Sequence, residues 1–205
     1  MSEAVCLYLA SRSPRRRELL QQIGVSFELL DIEIDERPRP EERPLDYVRR
    51  VAEAKAVAGS QLIAAAPRPV LAADTSVVVN ERILGKPENR EHALWMLEQL
   101  SGATHEVLSA VTLCQSTAET RVSVSRVTFR KLSQDEMLSY WRTGEPRDKA
   151  GSYAIQGLGA QFVARLEGSY SAVMGLPLFE TAQLLQQSGI ETGSVQTNLA
   201  GPGSI

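Results

Sequence analysis

The sequence predicts an α/β domain in which a mixed sheet is flanked by helices. Three observations carry that expectation. Short apolar runs of strand character mix with helix-period segments, without a strict strand–helix–strand repeat. The 205 residues, 43% of them apolar, suffice for one substantial core or two small lobes. Both cysteines, Cys6 and Cys114, fall within apolar runs, where reduced core thiols are expected rather than a disulfide.

Each element follows from a local signal. "AVCLYLA" (4–10) reads as a buried strand feeding a helix, with Ser13 as N-cap and Pro14 as first helical residue. "FELLDIEIDE" (27–36) alternates towards its end and predicts a second strand. Pro44 opens a helix over 45–59 whose apolar arc runs through Leu45, Val48, Val51, Ala52, Ala56 and Ala58. In "RPVLAADTSVVVN" (68–80), two apolar runs are interrupted by Asp74-Thr75, which predicts a strand break. The next helix, 90–100, stops at Ser101-Gly102.

"HEVLSAVTLC" and "TRVSVSRVTFRKL" predict a strand pair joined by "QSTAE". Ser133 and Glu136 form a capping box for the helix "SQDEMLSYW". The glycine-rich stretch 144–177 predicts loops with short strands such as "AQFVARL", and Pro177 opens a last helix closed by Gly189. A domain over 1–190 is expected, followed by a mobile tail, 191–205, rich in Gly, Ser, Thr and Asn.

Charge narrows the function classes. A net charge of −3 argues against a general nucleic-acid or membrane binder. The N-terminus is too short and too acidic for a secretory signal, and no run reaches membrane-spanning length. A cytoplasmic protein is the expectation.

Against that background the basic run in "SRSPRRREL" (11–19) stands out. A helix N-terminus already carries partial positive charge, so Arg15, Arg16 and Arg17 crowd the unfavourable end. With the hydroxyls of Ser11 and Ser13 and the free N–H groups, they have the parts of an anion site. Successive helical residues point about 100° apart, so not all three arginines face one ligand. Arg15 and Arg16 are assigned to phosphate and Arg17 to solvent; a solvated basic patch is the alternative. Lys55 lies at the centre of the apolar arc of its helix, so it either snorkels out or points into a polar cleft.

Asp74 is the sharpest single position. A carboxylate among residues expected to be buried needs a hydrogen-bonding partner or a metal ion, unless it caps a turn. Glu33, Asp35 and Glu36 end the second predicted strand, and one of them is placed to share a divalent cation with Asp74. Lys86, Asp148 and Lys149 lie in loops and are weak signals alone. His92 and His105 lack zinc-ligand spacing, and no serine sits in a nucleophile elbow.

Together these segments resemble the Maf family of nucleoside triphosphate pyrophosphatases. The matching stretches run in order: "LYLASRSPRRRELL", "DERP", "RVAEAKA", "LAADTSVVV", "LGKP", "LSGATHEVLSAV", "VTFRKLS", "DKAGSYAIQGLGAQFV" and "VMGLPLFET". They cover the chain to about residue 190. The resemblance implies an elongated mixed α/β fold similar to the inosine triphosphate pyrophosphatases, with two lobes around a cleft. It implies hydrolysis of a nucleoside triphosphate to the monophosphate and pyrophosphate with a divalent cation, Mg²⁺ or Mn²⁺. It assigns the general base to Asp74, the metal to Glu36 with Asp74, and phosphate contacts to Arg15, Arg16, Lys55 and Lys86.

Arg15, Thr75 and Gln156 match the branch that prefers dTTP and UTP; the branch acting on 7-methyl-GTP carries Trp, Gln and Glu there. Neighbouring cations are expected to keep Asp74 ionised. Rival readings are a pyrophosphatase for modified nucleotides and a nucleotide-binding regulator of septum formation. The sequence leaves a homodimer open.

Overall fold

The computed structural model of the chain describes residues 6–63 and 68–193. Its first part winds three parallel strands around two helices: β1 (Leu7–Leu9), α1 (Pro14–Gln22), β2 (Phe27–Leu29), α2 (Pro44–Leu62) and β3 (Val70–Val79). A hairpin then adds β4 (Arg82–Leu84), with Asn80 and Glu81 at φ 48° and 61°, the left-handed pair that a two-residue turn requires. After α3 (Arg90–Leu100) come the long antiparallel strands β5 (Thr104–Cys114) and β6 (Ala118–Phe129). The chain finishes with α4 (Gln134–Arg142), a series of 3₁₀ turns, β7 (Val163–Glu167), α5 (Tyr170–Met174) and α6 (Leu178–Gln187). The sheet order is β2-β1-β3-β5-β6-β7, with β4 beside β3, so the expected mixed sheet with helices is present.

Helices cover both faces of this sheet. On one face α2 lays Val48 and Ala52 against Val78, Leu108 and Ala110. Gly59 lets α2 approach β3 closely, since a Cβ there would lie 2.8 Å from Val70 Cγ1. On the other face α1 and α6 enclose Leu7, Leu9, Leu71, Val111 and Leu184. A further cluster joins α3 and α4 to Val77, Val107 and Phe129.

Three expectations need correction. The strand at 27–36 stops at Leu29, where its pairing with β1 ends at Leu9; Leu30 to Glu36 run on without a strand partner among the described residues. Asp74-Thr75 does not break a strand: β3 is continuous, and Asp74 and Thr75 pair across to Ala110 and Ser109 of β5. Burial on both faces explains the apolar runs on either side of the polar Asp74–Ser76. Leu45, placed in the apolar arc of α2, is 40% exposed because the helix begins beyond the edge of its contact with the sheet.

The other edge of β3 is interrupted. It pairs with β1 at Val70 and Leu71 and with β4 from Val77 to Val79. Between these, Ala72–Ser76 has no strand neighbour on that side among the described residues. Since Leu71 accepts from Ala10 N on the β1 side, alternation turns the peptide groups of Ala73 and Thr75 towards the gap.

The capping box at Ser133 and Glu136 is formed, with Ser133 Oγ accepting from Glu136 N at 3.3 Å and Glu136 Oε2 accepting from Ser133 N at 2.9 Å. Ser133→Ala should therefore cost about 1 kcal/mol, read as a lowered urea midpoint with unchanged slope. Cys6 and Cys114 are free thiols. Residues 191–193 return to α1, where Gly193 N donates to Ile23 O at 2.7 Å. The rest of the expected mobile tail lies outside the described residues.

Candidate active site

The gap beside β3 opens into a cleft of about 690 Å³. One wall is the β1–α1 turn with Ser11, Ser13, Arg15 and Arg16; the other carries Lys86, Asp148, Lys149 and Gln156. Asp74 and Thr75 lie at the floor, beside Lys55 and Glu36. Every residue singled out for phosphate, base, metal or selectivity thus lines one cavity.

Adjacent strand residues point to opposite faces, and this sorts the floor. Asp74 faces α2, where Lys55 Nζ donates to Asp74 Oδ1 at 3.0 Å and meets Glu36 Oε2 at 3.0 Å. Lys55 therefore points into the polar cleft rather than out to solvent. Of the three acidic residues considered, only Glu36 joins Asp74; Asp35 is held by Arg37, and Glu33 lies 3.9 Å from Arg12. Burial raises the pKa of Asp74, and Lys55 and Arg16 oppose it without cancelling it. The neighbouring cations favour the ionised carboxylate, as expected, while desolvation, the larger influence, works against it.

Thr75 faces the other way. Its Oγ1 lies 2.9 Å from Ser109 Oγ, and Ser109 in turn donates to Ala172 O at 2.6 Å. Arg16 crosses to the same place: its Nε donates to Gly175 O at 2.8 Å, with longer approaches to Ser11 Oγ at 3.4 Å and Thr75 Oγ1 at 3.5 Å. Burial pulls the Arg16 pKa down and Asp74 pulls it up; a guanidinium stays charged regardless. All three guanidinium nitrogens have a protein acceptor within 3.5 Å, and the side chain lines the cleft.

Arg15 is more loosely held, 3.9 Å from Asp148; Arg17 lies outside the cleft as expected, but half-buried beside Arg12, Leu29 and Asp31 rather than turned to solvent. Ser13 N donates to Ser11 Oγ at 3.2 Å, so the two serines form a compact turn at the head of α1. Gln156 and Lys86 are exposed at the rim.

Sequence reasoning missed Ser109, Gly175 and Tyr47. Ser109 was legible as a hydroxyl within the apolar run of its strand, which must find a partner when buried. Tyr47 lines the cleft, and burial with the nearby Asp74 and Glu36 carboxylates pushes its pKa up to about 12.

The donor set fits a hard divalent cation. Asp74 and Glu36 already converge on one positive charge, the Lys55 ammonium, and their oxygens are the ligands such a cation prefers. Among the described residues no three His, Cys, Asp or Glu side chains gather into a metal-holding group. Phosphate oxygens and water would have to complete the coordination, as is usual for Mg²⁺.

A family model described as Maf-like protein matches residues 6–188. The dTTP/UTP pyrophosphatase of Methylococcus capsulatus is 54% identical over 200 residues, covering 97% of this chain and 98% of its own. That of Alkalilimnicola ehrlichii is 54% identical over 189 residues, covering 90% and 94%. Among solved structures, a dITP/XTP pyrophosphatase from Mycobacterium abscessus aligns with a TM-score of 0.47 at 15% identity, over 96% of this chain and 99% of its own.

Proposed function

The chain belongs to the Maf family, and on that premise we propose that it hydrolyses dTTP and UTP to the nucleoside monophosphate and pyrophosphate. One observation carries the reading. Arg15, Thr75 and Gln156, far apart in sequence, open onto the same cleft as Asp74, Glu36 and Lys55. Relatives 54% identical to it over most of its length are dTTP/UTP pyrophosphatases by name.

The residues divide the work by chemistry. Arg16, with Arg15, Lys55 and Lys86, offsets the negative charge of the triphosphate, and the Ser11 and Ser13 hydroxyls with the N–H groups opening α1 complete the cradle. Asp74 accepts the proton of the attacking water. Burial raises its pKa, and the Lys55 and Arg16 charges oppose the rise. Asp74 and Glu36 would hold a divalent cation, Mg²⁺ or Mn²⁺, which supplies further neutralisation of phosphate charge when bound. Lys55, between the two carboxylates and lining the cleft, is placed to donate to phosphate oxygens. Gln156 presents a donor and an acceptor, as the O4/N3–H edge of thymine or uracil requires.

The setting that this activity fits is the cytoplasmic nucleotide pool. The net charge of −3 supports a small-molecule partner over a nucleic acid, and no described helix is long and apolar enough to cross a membrane.

Phosphate release coupled through an inorganic pyrophosphatase, with Mg²⁺ or Mn²⁺, tests the reading across dTTP, UTP, CTP, GTP and 7-methyl-GTP. dTTP and UTP should lead; a ranking led by a purine nucleotide overturns it. Arg16→Ala should lower kcat/KM about 10²-fold for every triphosphate alike. Arg17→Ala should change it by less than about twofold, because Arg17 lies outside the cleft. The reverse order in the same assay would move the phosphate site off Arg16.

A further inference from the structure

Gln156 sits on a turn held from both ends. Gly157 N donates to Ala154 O at 3.2 Å, which makes Ile155 and Gln156 the central pair of a four-residue turn. Before the tip, Ala154 N donates to Tyr140 Oη at 3.0 Å. Beyond it, Leu158 N and Gly159 N donate to the Glu145 carboxylate at 2.9 and 3.1 Å. Tyr140 Oη donates to Glu145 Oε1 at 2.7 Å and so joins the two ends.

Shape reinforces this clasp. A Cβ at Gly157 would lie 2.3 Å from Glu145 Oε2, and one at Gly159 would lie 2.8 Å from Tyr140 Oη. Only glycine at both positions leaves room for the two side chains. The Tyr140 ring is fixed edge-on to Phe162, with centroids 4.9 Å apart. The Gln156 carboxamide has no hydrogen-bonding partner among the described residues, and it borders the cleft. Its backbone is clamped while its head group is free.

We propose that Tyr140 and Glu145 are positioning residues for nucleotide selectivity. Neither lines the cleft. They act by holding the Gln156 turn at a set distance from the base, since a hydrogen-bonding side chain discriminates only when its backbone is fixed. Three charge-assisted bonds to one carboxylate supply that rigidity. The proposal rests on the reading of Gln156 as base-facing.

Tyr140→Phe and Glu145→Gln, each alone and combined with Gln156→Ala, test it through kcat/KM for UTP and GTP, with thermal melts as a check on folding. Each clasp variant should lower the UTP-to-GTP preference about three- to tenfold, the effect of losing a hydrogen bond, chiefly through the KM for UTP. The same change should have little further effect once Gln156 is alanine. A preference that stays at the wild-type value, or falls equally with and without Gln156, overturns the proposal. If Glu145→Gln does not fold, Tyr140→Phe decides, because it keeps the ring and removes only the hydroxyl. If Gln156→Ala itself leaves the preference unchanged, the base-facing reading fails and takes the proposal with it. If Gln156→Ala lowers the preference and the clasp variants do not, the proposal alone fails.

Discussion

Asp74→Asn should leave the protein folded and able to bind UTP while lowering kcat about 10²- to 10⁴-fold, the usual worth of a general base. The substitution keeps the shape of the side chain, and the amide oxygen still accepts from Lys55. Glu36 remains to balance the ammonium, 3.0 Å away. The pairing of β3 with β5 runs through the main chain and is untouched. What is lost is an acceptor for the water proton and one of the two converging carboxylates, so a weakened hold on the divalent cation adds to the deficit. Calorimetric binding of UTP, a thermal melt and kcat at saturating nucleotide separate these effects. A kcat within about tenfold of wild type, below the usual contribution of a general base, would remove Asp74 from the chemistry.

The triple change Arg15→Trp, Thr75→Gln and Gln156→Glu should move preference from UTP towards 7-methyl-GTP by about 10²-fold or more, the scale on which a site rejects a base that leaves its polar groups unpaired. At the rim, an indole can stack on the cationic methylated base, and a carboxylate can accept from its N–H donors. The floor is the harder part. Thr75 is already engaged with Ser109 and lies 3.4 Å from Gly175 O, so glutamine must displace those contacts. Removal of Arg15 leaves Asp148 with Lys149 as its partner. Side-by-side kcat/KM values for both nucleotides decide the matter; an unchanged ranking would mean that these three side chains do not read the base.

The candidate site was more legible in the sequence than the fold around it. Lys55 was marked by a charge in the middle of an apolar arc, and the structure turns it onto Asp74 for the reason the arc suggested: that face meets the sheet. Asp74 was visible as a carboxylate between apolar runs, yet its strand was misjudged. Periodicity does not distinguish a broken strand from a continuous one buried on both faces. The alternation in 27–36 was real but acquired no partner, because strand pairing depends on where β1 ends rather than on the segment itself. The short β4 had a single local cue, Asn80 at a left-handed turn position. Contacts such as Tyr140 with Glu145 and Ala154 join residues 5 and 14 positions apart through a turn geometry that composition does not reveal.

The interrupted edge of β3 has a consequence for the fate of the chain in a crowded cell. Bare peptide groups along a strand are a template onto which another extended chain can add, the first step of many aggregation routes. Here the row is short, from Ala72 to Ser76, and it lies recessed between β1 and β4. Arg16, Lys55, Asp74 and Glu36 stand around it, so an incoming backbone would meet two basic and two acidic side chains whose polar needs it cannot meet. Phosphate oxygens can pair with Arg16 and Lys55, and a divalent cation with Asp74 and Glu36, whereas an uncharged peptide offers neither. The groups gathered for a triphosphate therefore also act as gatekeepers, making this unpaired stretch of the central strand inhospitable to other polypeptides.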